Sequence, residues 1–409
     1  MAKFRNMCFN LVILLFLSAK VYAEYEHVFT TYVNATVLQE KYPEDYKSNV
    51  TFVALKYGYK AEEHTIMTED GYLITVFRVS LPSKKTGKPL FVLHGIMDSS
   101  DTWFLRGKES IGFLFADAGF DVWFGNCRGN RYGRRHVTLE PDRHAQFWNY
   151  SYHDIGFYDI PASVDYILQE TNQTTLKIVG QSQGTTVMYV LLSTRPEYNQ
   201  KVDIVVSLAP ISYVHNASGP LVPVIIAFIV TFNSILNLFG QHELMGDGSI
   251  PHVLMQYICF HYPEVCANKI ILPLAGYSTE QIEIEFYRYA IGKYPSGTTR
   301  KNFLHLSQNR IQRRFAKFDY GISGNFEVYN SMHSPVYNLS KITTKIGLIC
   351  SKNDGLSSLK DVDLLRKQLP NVVEYFVIPN AEWMHADFLW GRGIYKVVMP
   401  KILDMLNTT

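Results

Sequence analysis

Cysteine is scarce, with five in 409 residues. One falls in an N-terminal leader argued below, and the remaining Cys127, Cys259, Cys266 and Cys350 are too few for a disulfide scaffold. None sits at metal-ligand spacing, so no zinc site is expected. Charge is also thin, at 19% of residues, and nearly balanced: Lys+Arg 39 against Asp+Glu 37 gives a net of +2. No basic run extends beyond a few residues, so the electrostatic footprint of a nucleic-acid binder is missing. Internal repeats and low-complexity stretches are absent, and a 47% hydrophobic composition excludes a disordered chain. Uninterrupted apolar runs stop short of the roughly 20 residues that span a bilayer. What is present is enough apolar material for a large core, in one big α/β domain or two lobes.

Lys3 and Arg5 precede the apolar run Leu11 to Ala19, and Val21-Tyr22-Ala23 supplies small residues at a cleavage position. This order predicts a secretory signal peptide over residues 1–23. Losing Lys3, Arg5 and Lys20 brings the mature chain to 36 basic against 37 acidic residues, a net of −1. Seven Asn-X-Ser/Thr tripeptides, at Asn34, Asn49, Asn149, Asn172, Asn216, Asn338 and Asn407, agree with passage through the secretory route and predict glycans on surface loops. The destination is either extracellular or lysosomal. In that oxidising setting Cys259 and Cys266, which enclose a short segment, are the first pair to consider for a bridge. Cys350 lies in an apolar run and reads as a buried thiol, while Cys127 is open to either state.

The mature chain alternates short apolar runs with helical patterns. Leu90–Leu93, Phe120–Phe124, Leu176–Val179 and Ile204–Leu208 each run into Gly, Asn or Ala-Pro, and Ile160, Val164, Ile167 and Leu168 repeat at helical spacing. Ile346–Cys350 and Val372–Ile378 resume the strand signal around a helix expected to turn Val362, Leu364, Leu365 and Leu369 inward. Such alternation predicts a mostly parallel sheet covered on both faces. Residues 212–335 break the rhythm. They open on an apolar stretch, Leu221–Val230, that Pro223 is expected to interrupt, which favours a helix laid over a site rather than one crossing a membrane. The expected organisation is an α/β core in two parts, 24–211 and 336–409, with 212–335 inserted as a largely helical cap.

The chemistry is concentrated in Gly180-Gln181-Ser182-Gln183-Gly184, a G-x-S-x-G placed between a strand and a helix. The glycines permit a turn tight enough to hold the Ser182 hydroxyl above the sheet edge. A serine needs a base, and the base needs an orienting carboxylate. Asp354, just after the strand ending at Cys350, and His385, in the loop after the next strand, complete the chain order Ser–Asp–His at one sheet edge. Asp361, Asp363 and Asp387 are the competing acids and are worse placed. The backbone N–H groups of Gln183, after the nucleophile, and Ile96, in the loop Leu93-His94-Gly95-Ile96, are the candidate oxyanion donors. His94 reads as structural.

Several stretches carry a resemblance. They include Thr68-Glu69-Asp70-Gly71-Tyr72, Leu93-His94-Gly95, Gly125-Asn126-Cys127-Arg128-Gly129-Asn130 and Gly180–Thr186. Further on come Pro295–Thr299, His305-Leu306-Ser307-Gln308, Phe318-Asp319-Tyr320-Gly321 and Trp383–Gly391. In this order they run over nearly the whole mature chain, which resembles the acid lipase family. The resemblance implies an α/β-hydrolase core with a cap and lid, and hydrolysis of neutral lipid esters at a lipid–water interface. It gives Ser182, Asp354 and His385 the triad roles and Gln183 and Ile96 the oxyanion hole, and Cys259–Cys266 resembles the family's cap disulfide. Gln181 stands where the family commonly carries histidine, and the region around Leu221–Gly240 matches poorly. The chemistry calls for no metal or organic cofactor. Oligomeric state is not legible. Two other readings stay open: an esterase for small soluble esters, and a catalytically silent lipid-binding or storage protein on the same fold.

Overall fold

The computed structural model describes residues 48–82, 87–278 and 280–408. The leader 1–23 and Asn34 lie outside the described residues. Eight strands form one sheet: β1 (Lys60–Met67), β2 (Leu73–Ser80), β3 (Pro89–Leu93), β4 (Asp121–Phe124), β5 (Leu176–Gln181), β6 (Val202–Leu208), β9 (Lys345–Cys350) and β10 (Val372–Val377). A separate two-stranded ribbon pairs β7 (Glu243–Leu244) with β8 (Thr298–Thr299). The sheet order is β1-β2-β4-β3-β5-β6-β9-β10, antiparallel across β1/β2 and β2/β4 and parallel elsewhere. This is an α/β-hydrolase fold. β3 and β5 are buried along their whole length, as expected for parallel strands covered on both faces.

The helices used below are α1 (Val50–Lys56), α2 (Ile111–Asp117), α3 (Ile160–Thr171), α4 (Gln183–Thr194), α5 (Leu221–Leu238), α6 (Ile250–His261), α7 (Arg300–Gln312), α8 (Gly321–Tyr329), α9 (Leu359–Gln368) and α10 (Met399–Asn407). α3 buries Ile160, Val164, Ile167 and Leu168 on one stripe and ends on Asn172 in the left-handed region, φ +51°. α4 is buried on almost every side, so it lies inside the molecule and holds the strand before it in place. α9, capped by the Ser358 hydroxyl, buries Val362, Leu365 and Leu369 but leaves Leu364 exposed. The expectation that Leu364 turns inward fails because it is two positions from Val362, about 200° around the helix.

Residues 212–335 contribute α5 to α8 and the ribbon, and none of the eight sheet strands. The expected break at Pro223 does not occur. α5 starts at Leu221, so Pro223 falls in the first turn, where its missing N–H costs nothing, and the helix runs on through Asn233 and Asn237 to 18 residues. By length and composition α5 is apolar enough to cross a membrane. One of its faces turns inward, while Val230, Ile235, Leu238 and the adjoining Phe239 are exposed. α7 packs against it, and the Arg300 guanidinium ties its C-terminal end through Asn237 Oδ1 at 2.9 Å and Gln241 O at 3.1 Å.

Candidate active site

β5 delivers Ser182 to the sheet edge, and α4 starts one residue later. Ser182 takes φ +53°, ψ −121°, a left-handed strain for a residue with a Cβ. The glycines around it are required by contact. A Cβ on Gly180 would lie 2.9 Å from backbone atoms of Gly184, and one on Gly184 would lie 2.4 Å from the Leu93 carbonyl oxygen. The start of α4 therefore seats directly on the end of β3.

The strands after β5 bring two more side chains to this edge. His385 Nε2 lies 2.9 Å from Ser182 Oγ, and its Nδ1 lies 2.8 and 2.9 Å from the Asp354 carboxylate oxygens. Asp354 Oδ1 also accepts the N–H groups of Leu356 at 2.8 Å and Ser357 at 2.7 Å. A carboxylate accepts only, so Nδ1 carries the ring proton and Nε2 is left to receive the serine proton. The His385 N–H donates to Ala275 O at 3.0 Å, which fixes the backbone carrying the imidazole. The three side chains that sequence order nominated are thus within hydrogen-bonding distance and buried. The rival acids face elsewhere. Asp361 accepts from Asn216 and Ser358, Asp363 pairs on the surface with Arg366 and Lys367, and Asp387 accepts the Met384 N–H while burial pushes its carboxyl up to about 8.

Gln183 occupies the first turn of α4, so its N–H has no acceptor four residues back within the helix. It and Ile96 both line the cavity that contains Ser182. Each is next to a strained residue: Ser182 precedes Gln183, and Met97, φ +56°, follows Ile96. The loop bearing Ile96 is clamped from below. His94 Nδ1–H donates to Gly95 O at 2.8 Å, so its Nε2 accepts from Asn130 Nδ2 at 3.3 Å. Asn130 Nδ2 also donates to Asp98 O at 3.2 Å and Asn126 Oδ1 at 3.0 Å. Burial pushes the His94 imidazole down to about 4, so it stays neutral and structural, as read from its position. The sequence singled out Asn126 and Asn130 only as parts of a motif.

The cavity has a volume of about 470 Å³ and is lined chiefly by aliphatic and aromatic side chains, with the inner face of α5 as one wall. Its titratable lining groups are His385, Asp98, Tyr294 and Arg310. That size and character suit an apolar ligand oriented by a few polar groups.

Comparisons with known proteins bear on the family and the fold. Two family descriptions match, a partial alpha/beta-hydrolase lipase region over residues 50–107 and the alpha/beta hydrolase fold over 88–244. Lipase 3 of Drosophila melanogaster is 36% identical over 360 residues, covering 86% of this chain and 91% of that protein. The lysosomal acid lipase/cholesteryl ester hydrolase of Homo sapiens is 32% identical over 368 residues, covering 88% and 90%.

The chain belongs to the acid lipase family.

It is accordingly a carboxylic ester hydrolase. A solved structure from Sulfolobus solfataricus assigned as a lipase superposes with a TM-score of 0.58 at 13% identity, covering 86% of this chain and 95% of that one, a likeness of fold alone. In this acid lipase Gln181, the residue before Ser182, has its Nε2 3.4 Å from His385 Nε2. Cys259 in α6 is disulfide-bonded to Cys266, while Cys127 and Cys350 are buried free thiols. Asn149, Asn172, Asn216, Asn338 and Asn407 are exposed, and Asn49 is half-buried, its side chain capping α1 through the Phe52 N–H. Asn216 Nδ2 donates to Asp361 Oδ1 at 2.7 Å, so this sequon is tied to α9.

Proposed function

We propose that this acid lipase hydrolyses esters of neutral lipids, triacylglycerols first and cholesteryl esters second, through an acyl-enzyme on Ser182. His385 Nε2 takes the serine proton, and the hydroxyl oxygen attacks the ester carbonyl. The N–H groups of Gln183 and Ile96 receive the charge that develops on the carbonyl oxygen, and Asp354 holds the imidazolium that results. His385 then protonates the departing alcohol, and a water activated by the same ring releases the fatty acid. Residues 212–335 act as the cap, with α5 as its mobile apolar element.

The observation that carries this reading is the hydrogen-bonded Ser182–His385–Asp354 line opening into an apolar cavity walled by α5. The exposed outer residues of α5 are suited to a lipid surface, where an apolar face gains from leaving water. The two relatives act on lipid esters by their names, which supports the same substrate class here. The leader and the sequons favour a secretory route ending outside the cell or in a lysosome. A fluorophosphonate probe should label the protein at Ser182 and not the Ser182→Ala variant. Emulsified triacylglycerol and cholesteryl oleate should be hydrolysed faster than a short water-soluble ester. Activity confined to the soluble ester would overturn the lipid assignment, and absent labelling would overturn the nucleophile.

A further inference from the structure

In the sheet, β5, which leads into Ser182, is flanked by β3 on one side and β6 on the other. On the β3 side the polar group is Asp98, whose carboxyl burial pushes up to about 7, so that it is largely uncharged in mildly acidic solution. On the β6 side it is Arg310, on α7, which stays cationic at any physiological pH. Its Nη1 donates to the carbonyl of Val214, in the segment after β6, at 2.5 Å. Among the described residues the guanidinium has no other hydrogen bond and no ion pair with a carboxylate. The acid that acts on it electrostatically, Asp361, already accepts from Asn216 N at 2.8 Å, Asn216 Nδ2 at 2.7 Å and Ser358 Oγ at 3.0 Å. The next basic residue, Arg313, adds to the positive field on this side. It and Arg310 reinforce the burial that lowers the His215 imidazole. A half-buried cation on an apolar wall, with donors unspent and no carboxylate in ion-pair contact among the described residues, is completed by an anion at the end of an apolar chain.

We propose that Arg310 makes the β6 side of the cavity a carboxylate site, binding the head group of a single-chain anionic amphiphile whose tail lies along the apolar wall beside α5. This rests on the reading that the cavity takes an acyl chain. Two sources share the chemistry: the fatty acid released by the enzyme itself, and an acyl donor ending in a carboxylate.

The direct test is fluorescence titration of the full-length protein with cis-parinaric acid and with the corresponding alcohol. The acid should bind at least tenfold more tightly than the alcohol. Arg310→Met should abolish that preference without changing alcohol affinity, and Arg310→Lys should retain part of it. Equal affinities in the wild type, or a preference surviving in Arg310→Met, would overturn the carboxylate site. Failure of both probes to bind would overturn the acyl-cavity reading beneath it, whereas alcohol binding without acid preference would leave that reading standing. For the source, oleate inhibition of a soluble ester should weaken about tenfold in Arg310→Met if the ligand is the product. A nitrophenyl ester with a terminal carboxylate should outpace its methyl-ended analogue, in the wild type only, if the ligand is a donor. If neither effect appears, the site has no role in turnover and the proposal falls.

Discussion

Replacing Asp354 by asparagine separates charge and tautomer from shape. Oδ1 of Asp354 accepts two backbone N–H groups, from Leu356 at 2.8 Å and Ser357 at 2.7 Å, in addition to facing His385. An asparagine must keep its carbonyl oxygen on those two donors, since turning its NH2 toward them would set donor against donor. The NH2 then occupies the Oδ2 position, 2.8 Å from His385 Nδ1. Nδ1 must now accept, the ring proton moves to Nε2, and Nε2 faces Ser182 Oγ as a donor. The base is present, correctly placed, and in the wrong tautomer. The loss expected for such a change is about 10⁴-fold in kcat, or about 5.5 kcal/mol of transition-state stabilisation. Because the side chains are isosteric and the N–H partners are kept, the unfolding midpoint should move little. The assay is pre-steady-state hydrolysis of a soluble nitrophenyl ester, with thermal unfolding on the same preparations. An Asp354→Asn enzyme within tenfold of wild type would refute the tautomer argument and with it the role given to Asp354.

Asn130→Asp keeps the oxygen that accepts the Tyr132 N–H but removes the donor to His94, Asp98 O and Asn126. The Ile96 loop should loosen, lowering kcat about tenfold to a hundredfold with KM little changed; equal loss in both, or none, would count against a positioning role. Gly184→Ala sets a methyl 2.4 Å from the Leu93 carbonyl oxygen, and should lower stability by about 2–3 kcal/mol and abolish fluorophosphonate labelling; a variant that labels at wild-type rate would show that the helix start and β3 can separate freely. Stability should pass through a maximum near pH 6–6.5. Burial raises Asp98 and Asp387 to about 7 and about 8, so their contribution is complete below the ordinary carboxylate range and drains away as pH rises through those values. Burial lowers His94, His153 and His305 to about 4, 4 and 3, so theirs is complete above about 6.5 and drains away as pH falls. Thermal unfolding across pH 4–9 checks the sum, and a midpoint that changes in one direction throughout would contradict it.

The parallel part of the sheet was readable because β3, β4, β5, β6, β9 and β10 are short apolar runs closed by turn residues, whereas β1, with Lys60, Glu62, Glu63 and His64 along it, gave no such signal and β2 was not read either. The meeting of Ser182, Asp354 and His385 followed from a topological rule, that successive parallel strands present their ends to one edge. What the pattern missed were relations between side chains far apart in sequence. Leu364 was misplaced because hydrophobicity alone does not fix a helix's phase when four leucine-like residues fall within about two turns. The start of α5 was misjudged because a proline reads as a break until its position in the first turn is known. Asn130 beneath the Ile96 loop entered only as part of a motif, with no role legible, and Arg310 on the cavity wall left no local signature, since an arginine in a polar helix looks like a solvent-facing residue.

The adjacency of β6 and β9 has a consequence for synthesis. These strands are neighbours in the sheet, yet β6 ends at Leu208 and β9 begins at Lys345, with all of α5 to α8 between them. A ribosome therefore releases Ser182, the proposed nucleophile, long before Asp354 and His385 emerge. Until the chain beyond β10 docks, Ser182 has no His385 imidazole beside it. On the proposed mechanism, termination just before Lys345 and termination just before His385 should be equally inactivating, because each removes the imidazole that faces Ser182 Oγ.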